Sequence, residues 1–273
     1  MEERFDYRFI HRLRRKDLKN LCNLWIKTLN DSVTQGIHAR GDRCSVRQTP
    51  PRTDLCKLLP LGYAEANVAD CLRRMIEGIA MNVGAVILAA GSSSRMGSPK
   101  QTLLFQGRSL LRRATLAALD ATCRPVVVVT GANAEVSRRE LDQLDVREAY
   151  NPDWETGMGS SVRTGIETLI SLDAEVAAVV LLVCDQPHVT SYVISSLIAG
   201  HHTTGRPVIA SAYGESFGVP ALFSRTLFTE LTQLRGVSGA KEIIKRHVSE
   251  AHFLPFPEGE VDVDTPDDFS SLK

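Results

Sequence analysis

The chain has 273 residues, 43% apolar and 23% charged, enough apolar material for one large α/β domain or two smaller ones. Its 32 basic and 32 acidic residues leave a formal net charge of zero, which excludes a whole-surface electrostatic grip on nucleic acid or an anionic membrane but not a local cationic site. No run approaches the ~18 apolar residues of a membrane-spanning helix, and six scattered cysteines without a Cys-x-x-Cys pair suggest neither zinc nor disulfides and fit a reducing cytoplasm.

The first eighty residues differ from the rest. They carry 15 Lys plus Arg against 10 Asp plus Glu and hold four of the six cysteines, and they lack the apolar core of a secretory signal. Leu18, Leu21, Trp25 and Leu29 recur at helical spacing, and a second short helix fits Ala64 to Ile79. Between them, Asn30 to Pro60 shows no period and contains Thr49-Pro50-Pro51-Arg52, which reads as a linker. Residues 1–80 are therefore expected to be a partly helical or disordered extension. They are either a small interaction module or upstream sequence included by an early start, with Met81 as the working start.

From Met81 the pattern becomes regular. Val83 to Leu88, Pro125 to Thr130, Ala177 to Cys184 and Pro207 to Ala212 are short apolar runs of strand character. Helical segments separate them at Ser109 to Ala121, Ala134 to Leu144, Gly159 to Leu172 and Ser191 to His201. Such alternation predicts an α/β domain over 81–273, a mostly parallel sheet covered on both faces. Ligands in these sheets bind beyond the carboxyl ends of the strands, so the chemistry is expected in the loops that follow them.

After the first run comes Ala89-Ala90-Gly91-Ser92-Ser93-Ser94-Arg95-Met96-Gly97-Ser98-Pro99-Lys100. The spacing is neither that of a P-loop nor that of a dinucleotide fingerprint. Small residues let backbone N–H groups approach an anion, Arg95 can fork two phosphate oxygens, and Lys100 supplies a point charge. The bland reading is a strand-to-helix turn with incidental charge; the two cations favour phosphate. After the third run, Asp185 is delivered to a strand end, where it suits a divalent cation or the N-cap of the following helix. His188 reads as a base, a ligand or, most simply, a turn residue. In Asn151-Pro152-Asp153-Trp154-Glu155-Thr156-Gly157-Met158-Gly159-Ser160-Ser161 the glycines free the backbone and the serines open a helix whose N–H groups suit an anion or a base carbonyl, or merely cap it. In Val261-Asp262-Val263-Asp264-Thr265-Pro266 the alternation suggests a strand with both valines inward, and Asp264 at its end is the better partner for Asp185 on a metal.

LAAGSSSRMGSPKQTLLFQGRSLL, NPDWETGMGSSVRTGI, VCDQPHV, ESFGVPALF and DVDTPDDF, in this order, resemble the nucleotidyltransferases that attach a nucleotide to molybdopterin, and within them the molybdenum cofactor cytidylyltransferase branch. The likeness runs from about Val83 to Phe269. It implies a Rossmann-like three-layer α/β/α fold of the nucleotide-diphospho-sugar transferase type. It also implies roles at matching positions. Leu88, Ala89, Ala90, Gly91 and Ser92 would border the nucleotide, with Gly159, Ser160 and Ser161 helping to seat it. Arg95 and Lys100 would hold the triphosphate, and Asp185 and Asp264 would hold Mg²⁺; Lys100, Arg95 and Asp185 would carry catalysis. Ala89-Ala90 resembles the cytidylyl branch, pointing to CTP as donor and molybdopterin as the phosphorylated acceptor. Two positions depart from the pattern: Val237, where an acid is usual, and Val219, where some members carry histidine. They leave open another phosphorylated small molecule as acceptor, while a non-catalytic nucleotide-binding module is the rival from a different class. The basic N-terminal segment would suit docking to a molybdoenzyme maturation partner.

Overall fold

The computed structural model describes residues 82–272. The helices, linker and partner-docking role expected in residues 1–80 lie outside the described residues. Within them the elements run, in chain order, β1 (Val83–Ala89), β2 (Leu104–Phe105), β3 (Arg108–Ser109), α1 (Leu110–Asp120), β4 (Val126–Thr130), α2 (Ala134–Glu140), β5 (Arg147–Tyr150), α3 (Met158–Leu172), β6 (Ala178–Val183), α4 (Ser191–Thr204), β7 (Val208–Tyr213), β8 (Ser216–Ser224), α5 (Phe228–Thr232), α6 (Ala240–Arg246), β9 (Ala251–Pro255) and α7 (Pro266–Ser271).

All strands except β2 and β3, which pair with each other, form one sheet in the order β5-β4-β1-β6-β8-β7-β9. Neighbours are parallel except where β8 runs antiparallel between β6 and β7. The central strands β1, β4 and β6 read as unbroken apolar runs because both of their faces are covered. Their alternate residues serve opposite layers. Ala85, Ile87, Val128, Val180 and Leu182 pack with Leu111 and Ala114 of α1 and Ile194 and Leu197 of α4. Val86, Val127, Val129, Val179 and Leu181 pack with Val162, Ile166 and Leu169 of α3 and with Leu231 and Ile243 from α5 and α6. This is the three-layer α/β/α sandwich expected.

Local chemistry sets the helix ends. Ser109 caps α1 by accepting from Arg112 N, and Thr190 caps α4 by accepting from Val193 N. Gly205 closes α4 with φ 64°, a left-handed stop. Helix α2 ends short of the expected Leu144 because a turn follows in which Gln143 has φ 62°. The segment Val261 to Asp264 is not a strand, contrary to expectation: no partner strand continues there, and although Val263 is fully buried, Val261 is exposed. Among the described residues no helix is long and apolar enough to cross a membrane.

The chain leaves β1 toward β4 on one side and leaves β6 toward β7 on the other. The loops after β1 and β6 therefore diverge and open a crevice at the carboxyl ends of these two adjacent strands. Seating α3 beneath that crevice demands glycine at 165, where a Cβ would come 2.4 Å from Val86 Cγ1 and 2.9 Å from Val129 Cγ2. Gly165→Val should cost about 1–3 kcal/mol, read as a lower denaturation midpoint. A variant that melts with the wild type would contradict this packing.

Candidate functional site

The crevice is a cleft of about 330 Å³ walled by the loop after β1, the residue that ends β6 and the start of α3. Leu88, Ala89, Ala90, Gly91, Ser92, Arg95, Lys100, Ser161 and Asp185 all line it. Trp154 and Met158 line it as well, on the side of α3. Gly159 and Ser160 do not face it. Gly159 is packed so closely against the backbone of Leu234 and Arg235 that a Cβ would lie 2.8 Å from Arg235 N. Ser160 is buried, and its hydroxyl is engaged with the carbonyls of Gly157 and Asp153.

The loop Ala90 to Lys100 owes its course to one buried side chain and two left-handed residues. Met96 is buried among Phe105, Leu110 and Val263, so the residue before it, Arg95, is turned outward. Ser93 has φ 57° and Gly97 φ 74°, and Met96 N donates to Ser93 O at 3.0 Å to close the turn. Ser93 Oγ then accepts from Lys100 N at 3.1 Å. A single turn of 3₁₀ helix follows over Lys100–Thr102, in which Gln101 is buried; both Lys100 and Gln101 line the cleft.

Lys100 Nζ lies 3.3 Å from Asp185 Oδ2 and is hydrogen-bonded to Asp264 Oδ1 as well. Arg95 Nη2 reaches Asp264 Oδ2 at 2.7 Å. Two cations and two carboxylates, drawn from three distant segments, thus form one neutral cluster at the rim of the cleft. Asp264 reaches it without being part of a strand. Val263 N donates to Asp185 O at 3.0 Å, tying the segment to the end of β6. Asp268 accepts from the backbone N–H groups of Asp264 and Thr265 in the capping box of α7.

Proton affinities follow from this arrangement. Burial pulls the Lys100 ammonium down, but its hydrogen bond to Asp264 and the charges of Asp185 and Asp264 outweigh that, leaving it above the ordinary lysine value. Burial holds the Asp185 carboxyl above the usual carboxylate range, with Lys100 opposing. The hydrogen bond from Lys100 holds Asp264 below that range, with Arg95 adding to it. Desolvation, with Asp185 and Asp264 nearby, pushes Asp262 up to about 6.

Asp185 and Asp264 fit a divalent cation on the chemistry of their donors: two carboxylates already converge on one ammonium. Among the described residues no group of three or more His, Cys, Asp or Glu side chains forms a metal cage. A site of two carboxylates that leaves the remaining positions to water and phosphate oxygens is how Mg²⁺ is commonly held.

Several supporting residues are not evident in the sequence. Gln101 is 1% exposed, and its Nε2 donates to Ala89 O at 2.8 Å and Gly91 O at 3.2 Å. Its Oε1 is buried without a partner among the described residues. Asn133, beyond the end of β4, donates to Gly91 O at 3.3 Å. Gly131, directly after β4, has no room for a side chain, since a Cβ would lie 2.6 Å from Ala90 O and 2.8 Å from Trp154 Cβ. The one available signal for Gly131 and Asn133 was their position just past a strand of the parallel sheet; nothing local marks Gln101 as buried.

Residues 85–251, more than half of the chain, match the family described as the MobA-like NTP transferase domain. A nicotine blue oxidoreductase of Paenarthrobacter nicotinovorans is 34% identical over 144 residues, 52% of this chain and 67% of the relative. The molybdenum cofactor cytidylyltransferase of Escherichia coli is 24% identical over 70% of this chain and 95% of its own length. The crystal structure of Rv0371c from Mycobacterium tuberculosis aligns with a TM-score of 0.59 at 27% identity, covering 71% of this chain and 98% of that one. A manganese complex of the same protein aligns with a TM-score of 0.55 at 26% identity, over 70% and 97% of the respective chains.

Gln101→Glu would set a carboxylate against two carbonyl oxygens and remove both donated hydrogen bonds. It should cost about 1–3 kcal/mol and speed amide hydrogen exchange in peptides spanning residues 88–95. Unchanged exchange there would show that Gln101 does not brace the loop.

Proposed function

The chain belongs to the MobA-like NTP transferase family, and from that premise we propose that it transfers CMP from CTP to a phosphorylated small molecule, molybdopterin foremost, and releases pyrophosphate. It is a nucleotidyltransferase. The observation that supports nucleotidyl transfer in this cleft is the convergence of Asp185 and Asp264 on Lys100, with Arg95 beside them, at the edge of a cleft floored by small residues.

In this reading the cluster exchanges partners when substrate enters. The triphosphate takes Arg95 and Lys100, and Asp185 and Asp264 would hold a divalent cation, for which Mg²⁺ is proposed. The manganese complex of Rv0371c supports divalent-metal use. When bound, that ion would supply charge neutralisation at the phosphates. Leu88, Ala89, Ala90, Gly91 and Ser92 border the nucleotide, Ser161 contacts it, and Gly159 and Ser160 act behind the wall by shaping the start of α3. An oxygen of the acceptor's terminal phosphate attacks the α-phosphorus in line, the bond to the β-phosphate oxygen breaks, and pyrophosphate leaves. The nucleophile is already anionic near neutral pH, so no strong base is required. Catalysis is positioning plus charge stabilisation, with Lys100 placed to meet negative charge as it builds.

CTP is preferred because Ala89 and Ala90 stand where the resemblance to the cytidylyl branch rests. The two free, buried cysteines among the described residues, Cys123 and Cys184, suit a reducing cytoplasm. A second reading keeps the chemistry and changes the acceptor. It is favoured by Val237, which is 91% exposed in the loop before α6 where an acid is usual, and by Val219, which packs its apolar side chain against the core.

Lys100→Ala should lose roughly 10²–10³ in turnover while keeping its far-ultraviolet circular dichroism. Near-normal pyrophosphate release by that variant would remove Lys100 from the chemistry. Incubation with CTP, Mg²⁺ and molybdopterin should yield, by mass spectrometry, the acceptor enlarged by one CMP. Turnover only with another nucleotide or another phosphorylated acceptor would overturn the assignment of substrates.

A further inference from the structure

Asn151, at the end of β5, is 1% exposed and organises the turn that leads into α3. Its Oδ1 accepts from Asp153 N at 3.0 Å. A backbone N–H can only donate, so this contact decides which end of the amide is oxygen. Asn151 Nδ2 then faces two hydroxyls, Ser160 Oγ at 2.9 Å and Ser161 Oγ at 3.0 Å, and both amide hydrogens are spent.

The two serines differ in what remains to them. Ser160 Oγ lies 2.8 Å from Gly157 O and 3.0 Å from Asp153 O, and carbonyls only accept, so its proton is used inside the protein. Ser161 Oγ accepts from Asn151, and among the described residues no acceptor takes its proton. Ser161 is also the one of the pair that lines the cleft. A serine hydroxyl is ordinarily free to rotate and either donate or accept. Here one lone pair is engaged from behind, so the proton is turned away from residue 151, and among the described residues it is left for a ligand to accept.

We propose that Asn151 is a positioning residue that turns the Ser161 hydroxyl so that its proton is donated to an acceptor oxygen of the bound nucleotide. The proposal rests on the nucleotide-binding reading of the cleft and adds to it a direction for one hydrogen bond. A phosphate oxygen or a base carbonyl satisfies that donor. An N–H group at the same point would leave the Ser161 proton without an acceptor, which is how a built hydrogen-bonding site discriminates.

The test is a double-mutant cycle read by calorimetric titration of CTP with Mg²⁺ present, independent of turnover. Ser161→Ala should weaken CTP roughly tenfold, and Ser161→Thr, which keeps the hydroxyl, should restore most of it. Asn151→Asp offers only acceptors at that end and would turn the Ser161 proton back toward residue 151. It should weaken CTP by a similar factor alone and by little more in the Ser161→Ala background, because the two act through one hydroxyl. If Asn151→Asp does not fold, Asn151→Ala completes the cycle, and Ser161→Ala set against Ser161→Thr tests the donor by itself. Parallel titrations with GTP and tripolyphosphate identify the oxygen: an equal loss for all three marks a phosphate, and a loss confined to CTP marks the base carbonyl. Wild-type affinity in Ser161→Ala, or additive effects of the two positions, would overturn the proposal while leaving the nucleotide reading intact. A wild-type protein that binds no nucleotide would overturn that reading and the proposal with it.

Discussion

The site turns on one ammonium group held between two carboxylates. Lys100 contacts Asp185 across 85 residues of chain and Asp264 across 164. Each of the three would be poorly placed alone: a carboxylate at the end of a buried strand is costly unless a cation meets it. The cluster thereby fixes where the loop after β1, the end of β6 and the segment before α7 lie relative to one another. In the proposed reaction it would be exchangeable: phosphate and a metal ion together would replace the same charges with the same signs, and substrate would enter without leaving a buried charge unpaired. Arg95 is 70% exposed, and its ion pair with Asp264 is of the kind that contributes little to stability.

Around this cluster the protein spends hydrogen bonds on holding backbone still. Gln101 ties down the carbonyls of Ala89 and Gly91, Asn133 adds a contact to Gly91, and Asn151 holds both serines at the start of α3. Carbonyl oxygens would repel a triphosphate. Engaging them from the protein side leaves the N–H groups of a small-residue loop as what an anion meets. The Oε1 of Gln101, buried without a partner among the described residues, is the cost of this bracing.

The sheet topology makes the site possible. With β1 and β6 adjacent and their outgoing loops diverging, one crevice collects the loop after β1, Asp185 and the start of α3. The antiparallel strand β8 was not legible from the chain. Ser216–Ser224 contains Gly218 and Pro220, which argue against a strand inside a sheet, and only its pairing with both β6 and β7 overrides that local preference. The strands β5 and β9 were likewise missed, being short stretches at the sheet edges without a long apolar run.

What the chain announced locally was its strand and helix periods in the central layer, the small-residue loop ending in two cations, and the strand-end carboxylate Asp185. Those signals arise within a few residues, from side-chain alternation, from glycine and proline, and from the burial that an apolar run demands. Whether Ser160 or Ser161 faces the cleft, whether Asp264 stands on a strand, and that Gln101 is buried were decided by tertiary structure alone. Adjacent residues of one helix turn point in directions that only packing against a neighbour distinguishes. A carboxylate becomes a partner of another only when the chain between them has folded back. The loop could be read because its chemistry is local. Asp185 and Asp264 could be paired from their expected strand-end positions, but their direct ion pairs with Lys100 and Arg95 could not be read, because attraction between charges depends on separation in space, which sequence separation does not set.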